Sequence, residues 1–246
     1  MCDRAIPFLA SLALASLARE TSRLQRRICP PLRQNAAMDA LRTPSHVIPA
    51  HHYRRERWRN QQGWTREILR LGDGEDWSLR LSIAEIEQDS DFSSFPGIER
   101  ELVLLHGNGV RLCFEDGQEV ALLPPHQRLR FAGEAKVRGE LIDGPTHDFN
   151  LMWRRDALDA TLLHRPLVGP MLFFTEPGVA WAIHLLAGHA RFESDAALEP
   201  LAAGDTVWLG AGPRSRHAMH GAGELLAIRV APRAAESIDA GPGAAQ

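Results

Sequence analysis

Leu79, Leu81 and Ile83 alternate with Arg80, Ser82 and Ala84. A period of two places the apolar set on one face of a strand and the polar set on the other. The same rhythm recurs along the chain. Over residues 65–71, Arg66 and Ile68 stand opposite Thr65 and Glu67, and Val110, Leu112 and Phe114 alternate again. Residues 120–123, 129–131, 136–141 and 149–153 are further short apolar or alternating runs, and 102–105 is an apolar run closed by Gly107-Asn108-Gly109. Turn chemistry separates them: a Gly-Asp-Gly loop after Leu71, Asp116-Gly117, Asp143-Gly144, and a Pro124-Pro125 pair that forbids strand continuation. A looser set follows at 172–174, 179–186, 190–193, 206–209 and 225–230, punctuated at Gly188, Gly204 and Gly221-Ala222-Gly223. Many short strands at regular spacing predict a sandwich or barrel, and two such sets predict two barrels side by side.

The first 37 residues break from this pattern. Residues 6–18 are apolar and Ala-rich, and 19–33 are basic. The apolar part is shorter than the roughly 20 residues a bilayer requires, and Asp3 cancels Arg4 where a secretory signal needs positive charge. Met38 then restarts the chain. The expected organisation is an N-terminal extension over 1–45, disordered or an over-long start, a first barrel over 46–155, a second, degenerate barrel over 156–233, and a fraying tail over 234–246.

Composition narrows the class. Hydrophobic residues make up 44% and charged residues 24%, and twenty glycines and sixteen prolines suit a turn-rich all-β chain. A net charge of −3 offers no basic field for nucleic acid or an anionic membrane. The three cysteines, Cys2, Cys29 and Cys113, have no metal-type spacing and suit a reducing, cytoplasmic setting.

Beyond pattern, particular residues carry a resemblance. Ser82-Ile-Ala-Glu-Ile, Phe92-Ser, Phe95-Pro-Gly-Ile-Glu-Arg and Leu104-Leu-His-Gly occur in order with Trp58-Arg-Asn60, Gly63-Trp-Thr65-Arg66-Glu67-Ile68 and Asp148-Phe-Asn150-Leu-Met. Together they resemble the HutD/Ves family over residues 48–232. The resemblance implies a bicupin of two RmlC-like jelly-roll barrels. It also implies an accessory or regulatory role in histidine utilisation, binding a small anionic metabolite such as N-formylglutamate or urocanate. The shared polar positions it carries over are Asn60, Thr65, Arg66, Glu67, Ser82, Arg100, Asp148 and Asn150. His147 stands where an Arg is expected in many relatives.

On the residues themselves, an Arg fork can clamp a carboxylate, although Arg-Glu neighbours more often form surface pairs. Trp58 and Trp77 could wall a pocket or simply fill a core. Arg66 and Arg100 are expected to supply positive charge, with Asp148 and Glu67 holding them. If the protein is an enzyme, Asp148 and Glu67 are the acid/base pair. No cofactor is expected. The eleven histidines include no H-x-H pair, neither His51-His52 nor His217 with His220 shares a strand face, and His184 and His189 flank a glycine turn with no third ligand in view, so no metal centre is expected. A homodimer is left open.

Overall fold

The computed structural model describes residues 30–74, 76–193 and 197–234. A helix, α1 (Pro30–Leu41), precedes seventeen strands. Those up to residue 154 are β1 (His46–Ile48), β2 (Arg54–Arg57), β3 (Gly63–Leu71), β4 (Leu79–Ile86), β5 (Ser90–Asp91), β6 (Ile98–His106), β7 (Val110–Phe114), β8 (Glu119–Leu122), β9 (Arg128–Ala132), β10 (Val137–Leu141) and β11 (Thr146–Arg154). The rest are β12 (Leu158–Val168), β13 (Met171–Thr175), β14 (Ala180–Phe192), β15 (Leu201–Ala202), β16 (Thr206–Leu209) and β17 (Ser215–Pro232). Among the described residues no helix is long and apolar enough to cross a membrane.

The first unit sets a six-stranded sheet, β2-β3-β4-β11-β6-β9, over a four-stranded one, β5-β10-β7-β8. Alternation gives the six-stranded sheet two distinct faces. Leu81, Ile83, Phe149, Leu151 and Trp153 form one face and pack against Leu158, Ala182, Trp208 and Ile228 of the second unit. The other face looks into the lumen between the two sheets. Leu102, Leu104 and Phe131 close one end of that lumen with Val110, Leu112, Leu122 and Val137.

The second unit is one seven-stranded sheet, ordered β1-β16-β14-β17-β12, with β13 on β17 and β15 on β14. Its outer core gathers Ile183, Leu185, Phe192, Leu209 and Met219. Two features here differ from the sequence reading. β12 forms although Pro166 lies within it, because β12 is the terminal strand and pairs only with β17. Gly188 and Gly223 are not turns but paired residues inside β14 and β17. A Cβ at Gly188 (φ +86°) would sit 1.8 Å from the Ala222 carbonyl oxygen, and one at Gly223 (φ +143°) 1.8 Å from that of Ala187. These glycines mark close backbone approach beside a bulge.

The expected boundary at residue 45 also moves. Ala37 and Leu41 are buried in the core shared by the units, at 2% and 0% exposure. The Leu41 carbonyl accepts from Ala211 N at 2.8 Å, and the Thr43 carbonyl from Trp208 Nε1 at 3.2 Å. β1, expected in the first barrel, pairs instead with β16, His46 opposite Trp208 and Ile48 opposite Thr206. Residues 1–29, the rest of the expected extension, lie outside the described residues. Leu41→Ala is expected to lower stability by about 2–5 kcal/mol, as for a large-to-small change at a closed core site. Chemical denaturation measures this, and a loss under about 0.5 kcal/mol would show that the segment merely rests on the body.

Candidate functional site

Cross-strand register builds the site in rows on the lumen face. Arg80, Met152, Arg100 and Phe131 oppose one another across β4, β11, β6 and β9. The next row runs Glu67, Ser82, Asn150, Leu102, and the third Thr65, Ala84, Asp148, Leu104. Residues directly opposite in a sheet share a face, so polar side chains from four strands converge at the end of the lumen that the apolar plug leaves open. The result is a cleft of about 570 Å³.

Six of the ten expected ligand-binding residues line it: Trp58, Asn60, Thr65, Ser82, Arg100 and Asn150. Trp58 reaches it from the turn after β2, donating its Nε1–H to Thr65 Oγ1 at 2.8 Å. Gly63 permits this, because a Cβ there would lie 3.1 Å from the indole and 2.4 Å from the Glu85 carbonyl oxygen. Asn60 is exposed at the mouth, where its Oδ1 accepts from Gln62 N at 3.1 Å and shapes the turn.

Arg100 is the centre of the cleft. It is only 6% exposed, with its guanidinium 5.1–5.8 Å from the centres of the Phe92, Phe95 and Phe131 rings. Nη2 donates to Asn150 Oδ1 at 2.9 Å and Nη1 to the Ser93 carbonyl at 3.4 Å, while Nε has no partner. Among the described residues no carboxylate lies within 4.0 Å of it. Burial, and then the charge of Arg80, push its pKa down to about 10, so it remains a cation at neutral pH. Donation from Arg100 fixes the Asn150 amide with its oxygen inward and leaves Nδ2 as a donor.

Arg57 and Arg59 also line the cleft, and Arg80 is a second cation on the row of Arg100. Glu67 holds it, accepting from Arg80 Nε at 2.7 Å and from Arg70 Nε at 3.1 Å. Burial alone would raise the Glu67 carboxyl, but hydrogen bonds from Arg70 and Arg80 outweigh it and keep it below the usual range. Glu67 thus pairs with Arg70 and Arg80 and not, as expected, with Arg66 or Arg100.

Four expected residues do not line the cleft: Arg66, Glu67, Trp77 and Asp148. Arg66 is next to Thr65 on β3 and faces the opposite way, pairing with Glu85 at 2.9 Å. Trp77 packs behind the lining with Ile98 and Met152, its ring 6.3 Å from Phe95. Asp148 faces the lumen one row deeper and is fully buried. Its Oδ2 accepts from Thr146 Oγ1 at 2.8 Å, its Oδ1 has no partner, and it holds no arginine. Burial pushes its pKa up to about 7 against the pull of the Thr146 hydroxyl. Neither Glu67, tied to two arginines, nor Asp148 is among the residues that line the cleft.

His184 is a core residue at the junction of the units, its ring 5.3 Å from Phe149 and its Nδ1 3.0 Å from Thr206 Oγ1. Burial, then the charge of Arg66, push it down to about 4.

The family model described as HutD matches residues 50–227. An uncharacterized 21.2 kDa protein in the hutC 3′ region of Pseudomonas putida is 41% identical over 109 residues, 44% of this chain and 57% of that protein. Protein Ves of Cronobacter sakazakii is 43% identical over 100 residues, 40% of this chain and 55% of that one. The chain thus spans little more than half the length of the curated relatives it matches. In three dimensions it is similar to HutD from Pseudomonas fluorescens SBW25, with a TM-score of 0.67 at 29% identity, covering 77% of this chain and 100% of that one.

Proposed function

The chain belongs to the HutD family, and from that premise we propose that its cleft binds a small carboxylate metabolite of histidine degradation, as an accessory or regulatory protein. The observation that carries this reading is Arg100, a buried guanidinium with no carboxylate partner among the described residues. A cation taken out of water without a counter-ion is unfavourable by several kcal/mol, and an incoming carboxylate relieves it. Arg80 on the same row, its Nε held by Glu67, adds guanidinium donors beside Arg100, which suits a dicarboxylate of the N-formylglutamate type better than urocanate. Asn150 Nδ2 and the Thr65 and Ser82 hydroxyls supply orienting hydrogen bonds, and Trp58, Phe92 and Phe95 cover the carbon skeleton. The relative in the hutC 3′ region of Pseudomonas putida is consistent with this pathway.

Calorimetric titration of N-formylglutamate and of urocanate into the full chain tests the proposal. N-formylglutamate is expected to bind more tightly. Arg80→Ala is expected to weaken it about ten- to a hundred-fold, the loss of one charge-assisted contact, whereas Arg66→Ala is expected to bind as wild type does. If wild type binds neither compound, the metabolite assignment falls. Equal binding by wild type and Arg80→Ala would move the second carboxylate elsewhere.

A further inference from the structure

Two imidazoles and a carboxylate, far apart in the chain, meet at the seam between the two units. His126 lies in the loop between β8 and β9 of the first unit, while His164 on β12 and Glu224 on β17 belong to the second. Glu224 opposes Pro166 on β12, which brings it diagonally to His164. His164 Nε2 is 3.1 Å from Glu224 Oε2, His126 Nε2 is 3.7 Å from the same oxygen, and the candidate ligand atoms all lie within 4.8 Å of one another. Tetrahedral zinc with bonds of roughly 2.0–2.1 Å sets its ligand atoms about 3.3 Å apart. Two edges of the triangle already bracket that value, and closing the third falls to rotation of His164, whose side chain is exposed.

The hydrogen bonding of His126 fits the same chemistry. Its Nδ1 is 3.0 Å from the Leu104 carbonyl oxygen. A carbonyl can only accept, so Nδ1 carries the proton and the Nε2 lone pair faces His164 and Glu224. A backbone carbonyl holding the far nitrogen of an imidazole is the usual way a ligating histidine is oriented. His126 also adopts φ +52°, a left-handed conformation that is unfavourable for a residue with a Cβ and that tends to collect at functional positions. It is this conformation that turns the loop's side chain toward the second unit.

We propose that His126, His164 and Glu224 bind a divalent transition ion of borderline softness, zinc foremost, with water completing the shell. Imidazole and carboxylate together suit zinc, and three protein ligands leave an open position. Bound there, the ion replaces the proton that joins His164 to Glu224 and draws in the lone pair of His126. One ion therefore ties the 124–127 loop of the first unit to the β12–β17 strand pair at the edge of the second. This site is separate from the arginine cleft and does not depend on the reading of it.

The test is calorimetric titration of zinc chloride into the full chain after treatment with EDTA, with melting followed in parallel. Expected are about one zinc per chain and a rise in melting temperature. Glu224→Gln, His164→Ala and His126→Ala should each weaken binding at least about ten-fold, the scale at which even outer-shell changes act. His51→Ala, which alters another close histidine pair at a 4.3 Å ring separation, should leave binding unchanged. His164 and Glu224 are exposed, so Glu224→Gln and His164→Ala should melt as wild type does without metal, whereas His126→Ala also loses its bond to the Leu104 carbonyl and is read by zinc affinity alone. Absence of zinc uptake by wild type, uptake unaltered in the ligand variants, or uptake lost in His51→Ala would each overturn the assignment.

Discussion

Arg100→Met is expected to melt at or above the wild-type temperature while binding N-formylglutamate at least about ten-fold more weakly. The wild-type guanidinium is buried among three phenylalanine rings, with two hydrogen bonds and Arg80 as a repelling neighbour. Cation–π attraction returns about 0.5–2 kcal/mol per favourable ring, but an uncompensated buried charge forfeits several. Methionine has similar length and a polarizable sulfur that suits aromatic walls. Exchanging a buried charge for a well-packed apolar side chain is commonly neutral or stabilising by about 1–4 kcal/mol. Affinity moves the other way, because a charge-assisted contact in a largely dry site contributes about 1.5–3 kcal/mol. A melting temperature several degrees below wild type would mean the phenylalanine cage stabilises the cation outright. Undiminished binding would remove Arg100 from the site.

Asp148→Asn is expected to stabilise the protein at pH 8 by about 1–4 kcal/mol and to do little at pH 4. Asp148 is buried with one carboxylate oxygen unpartnered, and its pKa is pushed up from 3.8 to about 7. The folded state therefore keeps a proton between about pH 4 and 7 that the unfolded chain has released. Where the native state binds more protons, stability falls as pH rises. The contribution is full below about pH 4 and is lost as pH climbs through 7, each pKa unit corresponding to about 1.4 kcal/mol. An amide of the same shape stays neutral throughout. Denaturation of both proteins from pH 4 to 8 should show the wild type losing stability on the alkaline side and the variant holding a flatter curve. A variant no more stable than wild type at pH 8 would indicate that water or a neighbouring cation compensates the ionised carboxylate.

Asp148 lies on a strand whose two faces alternate in sequence, whereas Arg100 precedes the unbroken apolar run 102–105, from which its facing cannot be read. Alternation at 79–84 and 148–153 splits each strand into two faces, and which of them faces the lumen is decided only by the packing of Phe149, Leu151 and Trp153 against the second unit. The same rule carried information that was not used. Arg80 shares the face of Ser82, and Arg66, next to Thr65, must face away from it. Alternation also cannot say how far along a lumen a residue sits, and so Asp148 and Asn150, two apart on one face, differ in whether they reach the cleft. Gly188 and Gly223 read as turns because a glycine at a turn and a glycine under a crossing backbone look alike in one dimension. The trio His126, His164 and Glu224 was beyond reach of spacing rules altogether, since its members come from three elements in two units and meet only when those units dock. The expectation of no metal site considered histidines within single strands, and the close approach here is between strands.

The placement of β1 has a consequence for how the protein is made. Thr43 and Ser45 are among the earlier residues of the described chain to leave the ribosome, yet their partners Trp208 and Gly210 follow 165 residues later. At 5–20 residues per second that interval is roughly 8–30 s, far longer than hairpins in the first unit need to close. The first unit can thus be complete on the nascent chain while the β1 segment still waits for β16, and the second sheet is sealed at its β1 edge by a strand synthesised before the rest of it.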